Sequence, residues 1–357
     1  MQPMQITDSS AAKQRRRNRY SWSPLSGRKS SDNIPRCISL LFLAVLACIL
    51  LWHVSTRITD KGTFEDEDDD VFAKTPFCDA DGTCHESPNV ASPRTIYSAR
   101  SRQQYDQWWR FHAHLNQTAA AFPQATRPLV FLGDSITEAW LGTGMGDPKE
   151  RARGVPQVLD AWMRNSKIQW DPLVLAISGD QTQHLLWRLE HGELTTSVAE
   201  NAKALFVVLI GTNNLGSGEL PEPTAEGVLA VVDYLISTVK GKILVLQLLP
   251  RGDGPTWLPD LCPPRCDKNR RSYTSFFPAI DKVNAAVMKG FDERYLADAN
   301  LRDRLDLINC GDAFLQNIPS GEQVDTSLMP DRLHPNAAGH ERLAECIAQW
   351  MDGHIVL

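Results

Sequence analysis

Short apolar runs alternate with segments of helical periodicity over most of this chain. Five of the runs predict strands, at residues 129–132, 173–177, 204–210, 243–249 and 305–309. The segments around them predict helices, at about 99–122, 135–140, 182–194, 222–240, 277–291 and 336–351. Unbroken apolar strands are typical of a sheet that is covered on both faces. The pattern therefore predicts one α/β domain over residues 93–357, built on a mostly parallel sheet.

Another apolar run, residues 37–54, contains no Lys, Arg, Asp or Glu. As a helix rising 1.5 Å per residue it would extend roughly 27 Å, close to the hydrocarbon thickness of a bilayer. Basic residues precede it and an acidic run at 65–70 follows, which predicts one membrane span with a cytosolic amino terminus. A cleaved signal peptide fits less well because the basic leader is too long. A buried soluble helix also fits less well because the run is apolar all round; a bipartite targeting leader stays open.

Charge divides the chain at the same place. Residues 1–36 carry a net charge of +6, whereas the whole chain carries −6, so the remainder carries −12. The first segment is predicted to be a disordered, basic cytosolic tail, and residues 55–92 to be an acidic stalk or linker. Because the domain region has no basic surplus, no nucleic-acid partner is expected. The domain is expected in the lumen of the Golgi or endoplasmic reticulum, or outside the cell.

The six cysteines that follow the apolar segment suit a disulfide-forming compartment. Proximity along the chain favours three pairs, one of the fifteen connectivities that six cysteines allow: Cys78 with Cys84, Cys262 with Cys266, and Cys310 with Cys346. Zinc is a weaker alternative, since these spacings match no familiar zinc ligand pattern. A sequon at Asn116 predicts a glycosylation site.

Four short blocks carry the candidate chemistry, and three of them directly follow a predicted strand. They are 133–137 (GDSIT), 178–180 (SGD), 211–214 (GTNN) and 331–336 (DRLHPN). Ligand and active sites of open α/β sheets lie at the carboxyl ends of the strands. Together the blocks supply a nucleophile, oxyanion donors, a general base and a carboxylate, the groups required for acyl transfer through a serine ester.

Each group has a predicted role. Ser135 is the nucleophile, and its backbone N–H at a helix N-terminus can face a developing oxyanion. The N–H of Gly179 and the side-chain amide of Asn213 are further oxyanion donors. His334 is the general base, oriented by Asp331 three residues earlier. Taken singly, these residues are also common as caps and turn formers. Three block neighbours are predicted to support them: Asp134, Asp180 and Asn214.

In this order the blocks resemble the SGNH hydrolases, or GDSL esterase superfamily, with the name-giving residues at Ser135, Gly179, Asn213 and His334. Within it, stretches 178–190, 192–194, 207–214 and 248–252 are most similar to catalytic subunits of platelet-activating-factor acetylhydrolase. The resemblance covers about residues 100–352. It implies a flavodoxin-like three-layer sandwich with five parallel strands and a cofactor-free mechanism. The family's subunit pairing leaves a homodimer open.

The resemblance implies an esterase for acetyl or short-acyl esters of a lipid or carbohydrate. Attachment to a membrane through residues 37–54 is predicted from the apolar segment alone, since the span and stalk have no counterpart in the soluble subunits that the chain resembles. Two alternatives stay open: an O-acetyltransferase acting on glycans, and a catalytically silent binding protein on the same fold. No metal or cofactor is predicted, because neither a metalloprotease motif nor a glycine-rich phosphate loop occurs. Asn214 departs from the Asp of many superfamily members. A loop at 253–276 is expected either to overhang the site or to be a pinned surface loop.

Overall fold

A sheet of five parallel strands forms the centre of the computed structural model, which describes residues 86–355 apart from 97, 100, 125–126, 253–275 and 319–320. The strands are β1 (Pro128–Gly133), β2 (Asp171–Ala176), β3 (Leu205–Leu209), β4 (Lys242–Leu246) and β5 (Leu305–Ile308). Their order across the sheet is β2-β1-β3-β4-β5, which is the flavodoxin-like order. The predicted α/β fold with a five-stranded parallel sheet is confirmed.

Both faces of the sheet are buried, which explains why its strands are apolar without interruption. In β1, Val130 and Leu132 pack into the core on one face, while Leu129 and Phe131 pack into the core on the other. Each of these four side chains is at most 1% exposed. Burying one such side chain contributes roughly 1.5–3 kcal/mol. Successive strand residues therefore stabilise opposite layers of the domain.

Ten α-helices surround the sheet in the described part of the chain. They are α1 (Arg102–Ala120), α2 (Ser135–Glu138), α3 (Val155–Asn165), α4 (Thr182–Arg188), α5 (Thr196–Ala199), α6 (Thr212–Gly216), α7 (Pro221–Thr238), α8 (Phe277–Arg294), α9 (Ala299–Arg302) and α10 (Ala337–His354). Helices α1, α4, α7 and α8 contribute to the core on one face of the sheet. Helices α2, α3 and α10 contribute to the core on the other face, so the domain has three layers.

Two antiparallel hairpins accompany the main sheet. One pairs Thr143–Gly144 with Asp147–Pro148, and the other pairs Leu315–Ile318 with Gly321–Val324. The first hairpin follows α2 and the second precedes the block that contains His334. Both hairpins therefore interrupt the alternation of strands and helices at places that are close in sequence to blocks of the candidate site.

Three of the differences between the predicted and the observed elements concern α3, α4 and β4. The hydrophobic pattern misses α3, in which only Val155 and Leu159 are buried. The helix predicted over 182–194 ends at Arg188 and continues as a π-helical turn over Leu189–Glu193, in which Gly192 has a φ of +110°. The strand predicted over 243–249 ends at Leu246, because the backbone N–H and carbonyl of Leu248 bond instead to the Asn284 side chain at 2.8 and 3.1 Å.

The first described residues already contact the domain, although they belong to the predicted stalk. Glu86 lies 2.6 Å from His184 Nε2, and the Thr182 hydroxyl donates to the Pro88 carbonyl at 2.7 Å. Both partners are on α4. Contacts with the domain therefore begin before residue 93.

One predicted disulfide lies within the described residues, where Cys310 and Cys346 are bonded to each other. The other candidates, Cys78, Cys84, Cys262 and Cys266, lie outside the described residues, as do the predicted tail and span at 1–36 and 37–54. Among residues 86–355, with the gaps given above, no helix is long and apolar enough to cross a membrane.

The candidate glycosylation residue, Asn116, lies within α1 and is partly buried. Its amide nitrogen lies 3.1 Å from His112 Nε2 and donates to the His191 carbonyl at 3.1 Å. A glycan on that nitrogen would replace contacts of the folded helix. Glycosylation at Asn116 stays a prediction.

Candidate active site

The first three blocks meet at the carboxyl edge of the sheet, as predicted. Ser135 follows β1, Gly179 follows β2 and Asn213 follows β3. All three line one cavity of about 300 Å³, and His334 lines it as well. Because β1 lies between β2 and β3, the loop with Ser135 has the other two loops as its neighbours.

The turn before α2 exposes Ser135 to this cavity. A Cβ on Gly133 would lie 2.3 Å from the Leu209 carbonyl oxygen, so only glycine fits at the end of β1. Asp134 caps α2, because its Oδ1 accepts from the Ile136 backbone N–H at 3.0 Å. Ser135 is the first helical residue, so its backbone N–H has no partner within the helix. That N–H and the helix dipole favour negative charge at this position.

His334 connects Ser135 to Asp331. The Ser135 hydroxyl lies 3.0 Å from His334 Nε2, and His334 Nδ1 lies 2.6 Å from Asp331 Oδ2. The other carboxylate oxygen of Asp331 accepts from the backbone N–H groups of Leu333 and His334 at 3.0 and 2.7 Å. Partial burial acts to raise the pKa of Asp331, but the hydrogen bond and charge of His334 outweigh it and lower that pKa to about 2. The ionised carboxylate thus fixes a proton on Nδ1 and leaves Nε2 to accept from serine.

The two other predicted oxyanion donors, Gly179 and Asn213, are held differently. Gly179 has φ +85°, and a Cβ there would lie 2.5 Å from Arg94 Nη2, so this position requires glycine. The amide nitrogen of Asn213 donates to the Asp180 carbonyl at 2.9 Å and to Asp134 Oδ2 at 3.2 Å. Asn213 therefore ties the three strand-end loops to one another.

A buried network lies beneath the Gly179 loop. The Asp180 carboxylate accepts from Trp108 Nε1 and Arg188 Nε, each at 2.7 Å. Arg188 also pairs with Glu193, whose second oxygen lies 2.8 Å from His112 Nδ1. Asp180, Arg188 and Glu193 are fully buried, and buried charges are tolerated only when paired and hydrogen-bonded. This network fixes the loop after β2 to α1 and α4.

The last predicted supporting residue, Asn214, acts on α4. Its Oδ1 accepts from the Thr182 backbone N–H at 3.0 Å, and its amide nitrogen donates to the Thr182 hydroxyl at 3.1 Å and to Gln183 Oε1 at 3.2 Å. The side chain is fully buried. Asn214 therefore stabilises the first turn of α4 rather than lining the cavity.

Glu138, a fully buried carboxylate at the end of α2, is a further residue of the site that was not predicted from the sequence. Its Oε2 accepts from the Ser178 N–H and hydroxyl at 2.7 and 2.6 Å and from the Met145 N–H at 2.9 Å. Its Oε1 accepts from the Thr143 hydroxyl and the Gly146 N–H, each at 2.8 Å. Glu138 thus joins the serine helix, the first hairpin and the Gly179 loop. Its position three residues after Ser135, in the same helical turn, is the sequence feature that could have indicated this role.

Four cations that line the cavity were also missed: Arg94, Lys149, Arg151 and Arg251. Lys149 and Arg151 are two residues apart, but Arg94 and Arg251 lie in distant segments, so no local motif indicates the four cations together. Arg251 alone lies in a stretch that carries the resemblance. No group of three or more His, Cys, Asp or Glu side chains within the described ranges is arranged to hold a metal ion.

Burial changes the acidity of Asp134. Loss of solvent raises the pKa of this fully buried carboxyl from an ordinary 3.8 to about 7, and the neighbouring charge of Asp180 adds to the rise. The hydrogen bond from Ile136 and the charges of Arg251 and Arg151 act in the opposite direction. The group beside the serine therefore gains its charge near neutral pH.

A five-stranded flavodoxin-like sheet with Ser, His and Asp joined at its carboxyl edge is typical of a serine hydrolase. Residues 131–342 match the model of the GDSL-like lipase/acylhydrolase family. The chain belongs to that family, which is a class of carboxylic ester hydrolases.

Similar proteins include two acetylhydrolase subunits. Platelet-activating factor acetylhydrolase IB subunit alpha2 of Homo sapiens is 46% identical over 173 residues, which is 47% of this chain and 63% of that protein. Subunit alpha1 of Bos taurus is 34% identical over 130 residues, 36% of this chain and 47% of that protein. The matches thus span less than two thirds of these relatives. A solved GDSL-like lipase of Bacteroides thetaiotaomicron has a TM-score of 0.48 at 16% identity, covering 68% of this chain and 97% of that one.

We expect Asp134→Asn to change how stability depends on pH. A raised carboxyl pKa contributes stability that is full below pH 3.8 and is lost as pH rises toward 7. The uncharged variant lacks this loss, so between pH 5 and pH 8 its free energy of unfolding should gain about 2–3 kcal/mol relative to the wild type. Urea unfolding at both pH values measures the difference.

Asp298→Asn is the matched control, because Asp298 caps the exposed helix α9 through the same contact, from the Asn300 N–H at 2.8 Å. Its profile should run parallel to that of the wild type. If Asp134→Asn also ran parallel, Asp134 would be ionised throughout and its burial would not govern its charge.

Proposed function

We propose that this chain is a serine esterase that hydrolyses acetyl or short-acyl esters. The observation that carries the proposal is the continuous contact from Ser135 Oγ through the imidazole of His334 to Asp331, at 3.0 and 2.6 Å, on the wall of an open cavity. Nucleophile, base and orienting carboxylate within hydrogen-bond reach of one another are the signature of serine acyl transfer.

In the first half of the reaction, Ser135 Oγ attacks the ester carbonyl while His334 Nε2 takes its proton. The imidazolium that forms is stabilised by the Asp331 carboxylate, whose pKa of about 2 keeps it ionised. The carbonyl oxygen becomes an oxyanion, which accepts from the backbone N–H groups of Ser135 and Gly179 and from the Asn213 amide. The Asn213 amide already donates to Asp180 and Asp134, so it must release one of these bonds to reach the oxyanion. The longer bond, to Asp134 at 3.2 Å, is the one that we expect to break.

The first half ends when His334 gives its proton to the departing alkoxide, and the alcohol leaves an acyl ester on Ser135. In the second half the acyl group is transferred to water. A water molecule loses a proton to His334 and attacks the acyl carbonyl. Collapse of this intermediate transfers the proton back to Ser135 Oγ and releases the carboxylic acid. The site ends as it began, with no cofactor required.

Two observations support a short acyl group. The cavity of about 300 Å³ is at the small end of the range for ligand sites. The human and bovine relatives are subunits of platelet-activating factor acetylhydrolase, which supports an acetyl ester as a substrate of this chain.

The test uses nitrophenyl esters of increasing acyl length with the full-length protein. We expect hydrolysis of the acetyl ester to fall steadily as the chain lengthens. In Ser135→Ala, kcat should fall by about 10⁴-fold or more, because the nucleophile is lost. Ser237→Ala, an exposed serine at the end of α7, is the control and should keep wild-type rates.

Retained hydrolysis in Ser135→Ala would contradict the assignment of the nucleophile. Offering an activated acetyl donor together with sugar acceptors separates the alternatives. Acetyl release to water supports the esterase, whereas predominant transfer to a sugar hydroxyl would make the chain an O-acetyltransferase acting on glycans.

We propose further that residues 37–54 anchor the enzyme in a membrane, with the domain in the lumen or outside the cell. Support comes from the uncharged apolar segment, from the basic residues before it and from the acidic run after it. The bond between Cys310 and Cys346 also supports an oxidising compartment.

Extraction of membranes from expressing cells tests the anchor. The full chain should stay in the pellet at alkaline pH, and its domain should resist added protease in sealed microsomes. A chain lacking 37–54 is the control and should be released from the membrane. Release of the full chain by alkaline extraction would contradict an integral span.

A further inference from the structure

One peptide group presents the proposed oxyanion donor at Gly179. Its N–H is that of Gly179, which donates no hydrogen bond within the described residues and so is available to a ligand in the cavity. Its carbonyl is that of Ser178. A trans peptide group is planar, so its carbonyl and its N–H point in opposite directions. A contact that fixes the Ser178 carbonyl therefore fixes the direction of the Gly179 N–H.

Arg94 makes that contact. Its Nη1 donates to the Ser178 carbonyl at 3.3 Å, and its Nη2 lies beside Gly179, where a Cβ would be only 2.5 Å away. The same guanidinium lies 3.9 Å from the buried Asp180 carboxylate, so its charge has an anionic partner. Although Arg94 lines the cavity, its side chain is only 4% exposed. It thus contacts three consecutive residues of the loop after β2.

Ser178 is held on its other side by a group of opposite charge. Its backbone N–H donates to the Glu138 carboxylate at 2.7 Å, while its carbonyl accepts from the Arg94 guanidinium. Hydrogen bonds to ionised groups are roughly twice as strong as neutral ones, and hydrogen bonds in a chain polarise one another. A cationic donor on the carbonyl therefore makes the N–H of the same peptide group a stronger donor.

Arg94 is itself held in place by the segment before α1. The hydroxyl of the next residue, Thr95, donates to Glu86 Oε1 at 2.9 Å, and Glu86 Oε2 lies 2.6 Å from His184 Nε2 on α4. Burial acts to raise the pKa of Glu86, but the charge and hydrogen bond of His184 outweigh it and lower that pKa to about 2. The ionised Glu86 therefore attaches the backbone around Arg94 to the helix that follows the Gly179 loop.

We propose that Arg94 is a positioning residue of the reaction, which directs and polarises the Ser178–Gly179 peptide group toward the oxyanion. This proposal rests on the proposed esterase function. When the ester carbonyl oxygen gains negative charge, the Gly179 N–H donates to it, while Arg94 donates to the carbonyl at the other end of the same peptide group. Arg94 acts through this peptide group and not on the ester, so its effect is on the transition state rather than on substrate binding.

Hydrolysis of the uncharged ester 4-nitrophenyl acetate by the full-length protein tests this role. In Arg94→Ala, kcat should fall by about tenfold with KM nearly unchanged, less than the 10²–10³-fold loss that follows removal of a whole oxyanion donor. Millimolar guanidinium chloride should at least double the kcat of this variant, because the free cation can occupy the position of the lost side chain. Guanidinium weakens folded proteins, so a gain in rate cannot come from improved folding.

Two further variants complete the test. Arg94→Lys keeps a cationic donor without the planar fork of arginine, so it should lose less kcat than Arg94→Ala. Arg342→Ala is the matched control, because it removes an exposed arginine that pairs with Glu345 at 2.9 Å on α10. Its kcat should equal that of the wild type and should not rise with guanidinium. Sodium chloride at the same concentration controls for ionic strength.

Three results would overturn the role of Arg94 and leave the esterase proposal intact. The first is a wild-type kcat in Arg94→Ala. The second is a raised KM at unchanged kcat, which would make Arg94 a substrate contact. The third is an equal loss of kcat in Arg94→Ala and Arg94→Lys that guanidinium does not restore, which would limit the residue to a structural role.

If the wild type hydrolyses no ester, the esterase proposal fails, and NMR decides the contact of Arg94 separately. Serine labelled with ¹³C at its carbonyl and glycine labelled with ¹⁵N select the four Ser–Gly pairs of the sequence. The signal missing from Ser178→Ala identifies the peptide group of Gly179. Its ¹⁵N resonance should move upfield in Arg94→Ala, because the carbonyl loses a polarising donor. An unmoved resonance would overturn the proposal.

Discussion

The buried carboxylate of Asp180 is the interaction on which the geometry of this site depends. Its charge is offset by hydrogen bonds from Trp108 and Arg188, both at 2.7 Å, so α1 and α4 are fixed to the loop after β2. The backbone of the same residue follows Gly179 and accepts from the Asn213 amide at 2.9 Å. Buried networks of this kind rigidify a site when every member is satisfied. The two proposed oxyanion donors, Gly179 and Asn213, therefore owe their positions to one residue, Asp180.

Preorganisation explains why so many polar groups are buried beneath a small cavity. Glu138 holds the first hairpin and the Gly179 loop against the serine helix, while Asp134 caps that helix and contacts Asn213. Oxyanion donors stabilise a transition state only if they are in place before charge develops, and removing one costs roughly 2.7–4 kcal/mol. Burial of these carboxylates is thus tolerated where it fixes donors, and the charge on Asp134 makes the arrangement sensitive to pH near neutrality.

The fold and the central residues could be predicted because they have local signals. Apolar runs identify strands that are covered on both faces, and polar residues directly after β1, β2 and β3 must meet at one edge of a parallel sheet. Other features depend on contacts between distant segments. Arg94 reaches Gly179 and Glu138 reaches Ser178 across about 40 residues or more, and the end of β4 is decided by the side chain of Asn284. No periodicity or spacing encodes such contacts, so the cations around the cavity were not found.

Covalent labelling tests the central claim most directly, namely that His334 activates Ser135 at this edge of the sheet. An active-site-directed fluorophosphonate should form a single adduct, and peptide mass spectrometry should locate it on Ser135. In His334→Ala the labelling rate should fall by orders of magnitude, because the hydroxyl at 3.0 Å loses its base. An adduct on another serine, or equal labelling of Ser135 without His334, would contradict the account.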